Sequence, residues 1–321
     1  SGRAGEVTPN MAKFLGMANK NIESFSKIIN DLLDMSKIEA GKMDYKFTST
    51  NVEKLIEFVK LQQTNVAESK GLNLTTHFDE KFVTVFADSS RLQQVLNNLL
   101  SNAIKFTNTG GTIDISTKVV DASEIHVPEC FANEVKNLEG KYLQVCVSDD
   151  GIGIEEENLP KIFDQFQQVE SSLSREVGGT GLGLPIVRKM LDAHNGAIWA
   201  ESAVNEGSKF YFVLPVSTDK SNFWILHKQL IQQAKVNKTK FVTLSISATG
   251  DVIENLLKED NLINRTYLNN SVIVKEYGKT TLTMVIPDAT ACVVDFLKRK
   301  IDTVVLNDKA RYGKCDIMYS Y

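Results

Sequence analysis

Between residues 178 and 187 the chain reads GGTGLGLPIV, four glycines within six residues followed by a proline and an apolar run. Glycine gains least from regular helix or strand, so a run this dense marks a loop up to Gly183. Pro185 is tolerated in the first turn of a helix. Ile186, Val187, Met190 and Leu191 then recur at helical spacing. The segment therefore delivers the N-terminus of an amphipathic helix out of a glycine-rich loop. Such a terminus turns backbone N–H groups and the positive end of the dipole toward a phosphate. Glycine runs also serve as plain hinges, and it is the density of this one that favours the phosphate reading.

Three further segments carry chemistry. In the helix expected over 89–106, Leu92, Val95, Leu96, Leu99, Leu100 and Ala103 form the apolar stripe. Asn98, Asn102 and Lys105 stand at i, i+4 and i+7 on another face. Amide oxygens can ligate Mg²⁺ and an ammonium can meet phosphate oxygens, although on most helices such residues are simply solvated. In VSDDGIGI (147–154) a strand ends at Asp149, Asp150-Gly151 turns the chain, and Gly153 permits close backbone approach. A carboxylate there can accept from an exocyclic amine such as that of adenine; an Asp-Gly turn alone is commonplace. In KIFDQFQQ (161–168), Phe163 and Phe166 lie three apart. They suit the anchor of a lid or ordinary core, and the two uses are compatible.

The surrounding pattern mixes helices and strands without strict βαβ alternation, which indicates an α+β sandwich. Helices are expected over 10–42, 51–70, 89–106 and after Leu184. Strands are expected over 72–78, 83–87, 112–120 and 142–148, with a closing hairpin over 198–202 and 209–214. Residues 121–140 read as a polar insertion, and PVSTDKSN (215–222) as a domain break.

In this order, LQQVLNNLLSNAIKFT (92–107), DDGIGI (149–154), IFDQF (162–166) and GGTGLGLPIV (178–187) resemble the N, G1, F and G2 boxes of the sensor histidine kinase catalytic domain. That domain shares its superfamily with gyrase, MutL and the ninety-kilodalton heat-shock chaperone. The resemblance covers about residues 45–216 and implies a Bergerat-type ATP pocket with Mg²⁺. It implies that Asn98 and Asn102 hold the metal and phosphates, that Lys105 touches the phosphates, and that Asp149 reads the adenine amine. It implies a lid over 155–179, with Arg175 reaching the terminal phosphate. On this carry-over Asn98, Lys105 and Arg175 serve catalysis. The nucleotide is held by Asn98, Asn102, Lys105, Asp149, Gly151, Gly153, Phe163, Gly179, Thr180, Gly181, Leu182 and Gly183. The chaperone and gyrase branch has Glu where Asn98 stands, so a kinase is expected over a hydrolase.

FSKIINDLLDMSKIEAGKM (25–43) resembles the second helix of the family's dimerisation and phosphotransfer hairpin. Phe25, Ile28, Ile29, Leu32, Leu33, Met35 and Ile38 form a long stripe that needs a partner, and a homodimer of the full-length protein is the expectation. None of His77, His126, His194 and His227 sits in a phosphoacceptor-type helix, so the substrate histidine is expected outside this chain. A response regulator is the implied protein partner. Composition is that of an ordinary globular protein, 42% hydrophobic and 24% charged with a net charge of -4, which favours no nucleic-acid surface. Four cysteines without CxxC spacing suggest reduced thiols and a cytoplasmic location. No apolar run reaches the roughly 18 residues of a membrane span, so any membrane attachment is expected in regions absent here.

Residues 219–321 read as a ferredoxin-like or palm-like α/β domain, with a strand at 241–247, a hairpin at 271–287, a helix from about 289 and a last strand at 316–321. GKT (278–280) is no P-loop, because Ile273 stands where its first Gly belongs. A receiver domain needs acidic residues where Ser245, Ile246 and Ser247 stand. YGKTTLTMVIP instead resembles the signature hairpin of GGDEF-type cyclases, with Lys279, Thr280 and Thr281 in place of Gly-Asp-Glu and Ser245 in place of a metal-binding Asp. Such a domain would be regulatory. The expected organisation is α+β. A coiled-coil-like helix (1–44) leads into a Bergerat-type ATP-binding α/β sandwich (45–218), and a ferredoxin-like/palm-like domain (219–321) follows. The expected activity is ATP-dependent histidine phosphorylation in two-component signalling. The alternatives are a degenerate kinase acting as a nucleotide-responsive module and, third, a gyrase-like ATPase.

Overall fold

A computed structural model describes residues 8–79, 83–167 and 181–218, then the strands 241–249, 271–276, 279–287 and 318–320 with scattered helical positions between them. Helix α1 (Pro9–Glu39) starts where the Thr8 hydroxyl accepts from the Met11 amide and Pro9 occupies the first turn. It stops at Gly41, whose φ of 65° terminates the helix. Its apolar stripe is largely exposed, with Phe14 at 69% and Phe25 at 64%. Only near its end do Asp31 and Met35 become buried.

An α/β sandwich follows. Strand β1 (Thr48–Asn51) pairs antiparallel with β3 (Thr84–Ala87), and α2 (Val52–Ser69) runs between β1 and β2 (Asn73–Phe78). Helix α3 (Ser89–Phe106) follows β3 with Asp88 as its N-cap. Strands β4 (Thr112–Asp121), β5 (Lys141–Asp149), β6 (Ala197–Ala203) and β7 (Gly207–Pro215) join β2 in one sheet of order β2-β4-β5-β7-β6. Pairing is antiparallel except between β2 and β4. Helix α5 (Gly183–Ala193) packs on α3, and α3 on α2, which places three helices over one sheet face. Leu143, Val145 and Val147 of β5 share that face with Ile113 and Ile115 of β4 and Phe210 and Phe212 of β7. This is the α/β sandwich expected from the sequence.

β5 is buried at almost every position, not on one face alone. Its second-face residues Gln144 and Cys146 are covered as well. The stretch after β4, which reads as polar, supplies Phe131 to the core, with Ile125, Val127, Val135 and Leu138 packed against it. Its short helix α4 (Ala132–Val135) lies on edge strand β6.

Strands β8 (Phe241–Thr249), β9 (Ser271–Glu276), β10 (Lys279–Pro287) and β11 (Met318–Ser320) form an antiparallel sheet of order β11-β8-β10-β9. Fourth, first, third, second is the strand order of the ferredoxin-like domain expected there. Ile253 and positions 295, 297–299, 301 and 302 are helical, on the two crossovers.

Candidate nucleotide site

Helix α3 is aligned by its two ends. Asp88 accepts from the Ser90 and Arg91 amides and the Ser90 hydroxyl, while its other oxygen accepts from the Lys46 amide. Those bonds hold its carboxyl below the usual range against the opposing effect of burial. His194, at the end of α5 and 2% exposed, accepts from the Asp88 amide at Nε2 and meets the Met190 carbonyl at Nδ1. Both bonds together require the neutral tautomer with its proton on Nδ1. At the other end Lys70 Nζ donates to the carbonyls of Ile104 and Lys105, 2.6 and 2.9 Å away, which caps the C-terminus of the helix.

This alignment presents Asn98, Asn102 and Lys105 on one side. Asn98 is only 8% exposed, and its Nδ2 is buried with no hydrogen-bond partner. An amide left so is a group the fold holds ready for a ligand. Asn102 is half-buried, and the Lys105 ammonium sits 4.5 Å over the Phe106 ring. Burial and then Lys27 of α1 lower the Lys105 pKa.

The Asp149 turn docks on the end of α3. The Ile152 amide donates to the Phe106 carbonyl, and a side chain on Gly151 would overlap that same oxygen. Gly153 (φ 71°) lies so close to the Ala203 carbonyl that a Cβ cannot fit, and Gly207 (φ 90°) is pressed equally against Asp149. The two DG carboxylates divide their tasks. Asp150 accepts from the Thr112 amide at 2.9 and 3.0 Å, pinning the turn to β4. Asp149, 7% exposed, accepts from the Gly151 amide at 3.0 Å. Burial pushes its pKa up to about 6, and the Gly151 and Ser208 amides only partly oppose this. A buried carboxylate in that condition gains from a further donor.

Around the glycine-rich segment, Leu182 is buried at the N-cap of α5, and the Cβ position of Gly183 lies 3.9 Å from Asn98 Cγ. The start of α5 and the middle of α3 thus face one another across the Asn98 amide. Phe166 (φ 61°) donates its amide to the Gly181 carbonyl at 3.1 Å, tying the two ends of the intervening loop together. Phe163 is core, 4% exposed and edge-to-face with Phe131 at 5.7 Å, whereas Phe166 is 64% exposed. Arg175, Gly179 and Thr180 lie outside the described residues. Gly151 meets the C-terminal end of α3 at Phe106, Gly183 meets its middle at Asn98, Gly181 meets Phe166, and Phe163 is buried at the base of the loop.

A groove of about 760 Å³ between α1 and α3 is bordered by Lys27, Asn30 and Asp31 on one side and Asn97, Asn98 and Ser101 on the other. Asp150 was expected in the turn but not as its tie to β4, and the roles of Lys70 and Gly207 were not anticipated. For Gly207 the signal was present, since NEG at 205–207 sits between two strand patterns as a hairpin turn would.

Known proteins share this fold. Residues 87–218 match the family of histidine kinase-, DNA gyrase B- and HSP90-like ATPases. The chain is 39% identical over 189 residues to the non-motile and phage-resistance protein of Caulobacter vibrioides, covering 59% of this chain and 20% of that protein. It is 30% identical over 214 residues to sensor histidine kinase WalK of Bacillus subtilis, covering 66% of this chain and 32% of the relative. The chain thus spans a fifth to a third of these relatives. Full-length ShkA, solved in complex with AMPPNP, shares the fold with a TM-score of 0.53 at 23% identity, over 67% of this chain and 41% of that one. Residues 87–218 belong to the histidine kinase-, DNA gyrase B- and HSP90-like ATPase family and form a histidine-kinase catalytic domain, with a long helix preceding it.

Proposed function

We propose that this chain binds Mg-ATP at the end of α3 and transfers the γ-phosphoryl group to a histidine that lies outside the chain, in a two-component protein whose phosphoryl group passes on to a response regulator. The observation that carries this is a buried carboxylate at the end of β5 together with a buried, unpartnered amide nitrogen on α3. Asp149 is a buried carboxylate that the Gly151 and Ser208 amides only partly offset against burial, and the Asn98 Nδ2 is buried without an acceptor. An adenine amine can donate to the first, and a phosphate oxygen can accept from the second.

Asn98 and Asn102 would hold the magnesium ion, which supplies charge neutralisation for the phosphates. Lys105 steers phosphate oxygens, and Gly151 and Gly153 let the backbone approach the base. Leu182 and Gly183 bring the α5 N-terminus to the phosphates. Arg175, Gly179 and Thr180 would complete the phosphate side. The reaction breaks the bond between the γ-phosphorus and the bridging oxygen and forms a phosphorus–nitrogen bond to imidazole, with ADP leaving. It needs positioning more than covalent help from the protein.

Of this chain's own histidines, His194 is buried, His77 pairs with Asp114 at 2.6 Å on an exposed strand, and His126 bonds the Glu124 carbonyl. His227 lies outside the described residues. The exposed stripe of α1 supports a homodimeric helical bundle in the full-length protein, with boundaries at 1–44, 45–218 and 219–321. For the last of these, the degenerate GGDEF reading rests on the β9–β10 hairpin sequence and on element order. Ser245 bonds Thr283 across the sheet at 3.0 Å and offers no carboxylate to a metal, so that domain is a regulatory module in this reading.

Titration calorimetry of Mg-ATP into the chain and into Asp149→Ala tests the nucleotide site. Binding by the parent and its loss in the folded variant is the expected result. A folded parent that does not bind would leave the degenerate-kinase reading in its place.

A further inference from the structure

Helical positions beyond the catalytic sandwich reach back onto it. Ile225, Lys228, Gln229, Gln232 and Val236 recur at three- and four-residue steps, so they share one helix face. Ile225 is 1% exposed. Gln229 Nε2 donates to the Tyr45 carbonyl at 3.0 Å. Lys228 Nζ donates to the Asp192 carbonyl and, at 3.1 Å, to Asn195 Oδ1. An ammonium on the last carbonyls of α5 meets the negative end of that helix. Gln232 Nε2 and Val236 Cγ2 stand 2.6 and 2.8 Å from where a Cβ on Gly41 would be.

These contacts fall on two bodies. Gly41 and Tyr45 belong to the connection between α1 and β1, which has neither helix nor strand over residues 42–47. Asp192 and Asn195 belong to the end of α5, inside the catalytic sandwich. Away from this connection, α1 meets the sandwich through Met35 and Ile38, which pack into its core, and through polar, partly exposed pairs: Asp34 to Arg91 at 3.5 Å, Asp34 to Gln94 at 2.9 Å, and Glu39 to Gln165 at 2.9 Å. Pairs of this kind hold an orientation weakly. The connection itself packs on the sandwich through Met43, Tyr45 and Phe47, and an element that grips both the connection and α5 adds to what sets how α1 sits against the ATP site.

We propose that the segment leading into the C-terminal domain is a clamp in cis. Its docked face ties the hinge at Gly41–Tyr45 to the end of α5 and restrains the catalytic domain from turning relative to α1. Whatever binds the C-terminal domain and draws this face away would free the hinge, shifting a two-state equilibrium by its difference in affinity for the docked and released forms. The consequence for phosphotransfer rests on the kinase reading above; the clamp itself does not.

Hydrogen exchange on the whole chain tests it without nucleotide. In Lys228→Glu/Gln229→Ala, amides of residues 41–47 are expected to exchange at least about tenfold faster, while those of β5 and β7 keep the parent rate. Unchanged exchange at 41–47 overturns the clamp. If the double variant loosens β5 and β7 as well, Gln232→Ala decides, because it empties space only beside Gly41. A smaller rise confined to 41–43 supports the clamp, and no rise overturns it. Calorimetry with Mg-ATP on the same variants should give the parent affinity, so loss of nucleotide binding in all proteins, parent included, would point to failure of the kinase reading and leave the exchange result standing.

Discussion

Replacing Asp149 with Asn should make the protein more stable and worse at holding ATP. The carboxyl is 7% exposed, and burial raises its pKa from the ordinary 3.8 to about 6. Between those values the folded chain keeps a proton that the unfolded chain has released, so stability falls as pH rises through this window. Above about pH 6 the whole cost is present. A shift of this size corresponds to about 3 kcal/mol. Asn removes the charge and retains one oxygen to accept from the Gly151 amide. At pH 8, urea unfolding should show Asp149→Asn more stable than the parent by about 1 to 3 kcal/mol. At pH 4 the two should nearly coincide. The same substitution loses a charged acceptor for the adenine amine, so calorimetry should show ATP binding weakened by roughly ten- to a hundredfold. In the parent, ATP affinity should itself fall as pH drops below about 6, because the bound form needs the carboxylate ionised. A variant less stable than the parent at pH 8, or one that binds ATP as tightly, would refute this reasoning.

Three other outcomes follow from the same geometry. His194→Ala leaves the Asp88 amide and the Met190 carbonyl without partners and opens a cavity, so urea unfolding should show a loss of about 2 to 4 kcal/mol. Burial lowers the His194 pKa, so its neutral form supports the fold, and that contribution should fade as pH falls below the free-histidine value of about 6.5. Gly207→Ala would force a Cβ against the Asp149 carbonyl at a φ of 90°; a loss of more than about 3 kcal/mol, or no soluble protein, is expected in the same assay. Asn98→Ala should weaken ATP binding by about tenfold when Mg²⁺ is present, and chelation with EDTA should remove most of the difference from the parent.

The sequence disclosed those parts whose residues face one environment throughout. α3 and α5 carry a single apolar stripe, and their observed limits, Ser89–Phe106 and Gly183–Ala193, match the periodicity closely. The turn that holds Asp149, Gly151 and Gly153 was legible because a strand end and two glycines coincide. β1 escaped notice because Thr48–Asn51 is polar and becomes a strand only by pairing with β3. The stretch after β4 read as a polar insertion because Ile125, Val127, Phe131, Val135 and Leu138 follow neither a helical nor a strand period. They pack one by one from short helical turns and the irregular backbone between them. Phe163 shows the remaining ambiguity. Its spacing from Phe166 allowed lid or core, and only tertiary packing placed it against Phe131. The clamp on the hinge could not be read at all, since Gln229 and Tyr45 are 184 residues apart.

The most direct measurement is phosphohistidine formation in a fusion that places a histidine-bearing helix ahead of α1. With Mg²⁺ and γ-labelled ATP, the fusion should acquire acid-labile, base-stable phosphate. The label should vanish with Asp149→Ala or when the added histidine is changed to Gln. Tight ATP binding without phosphohistidine, or release of the label as inorganic phosphate instead, would contradict assignment of the chain as a histidine kinase.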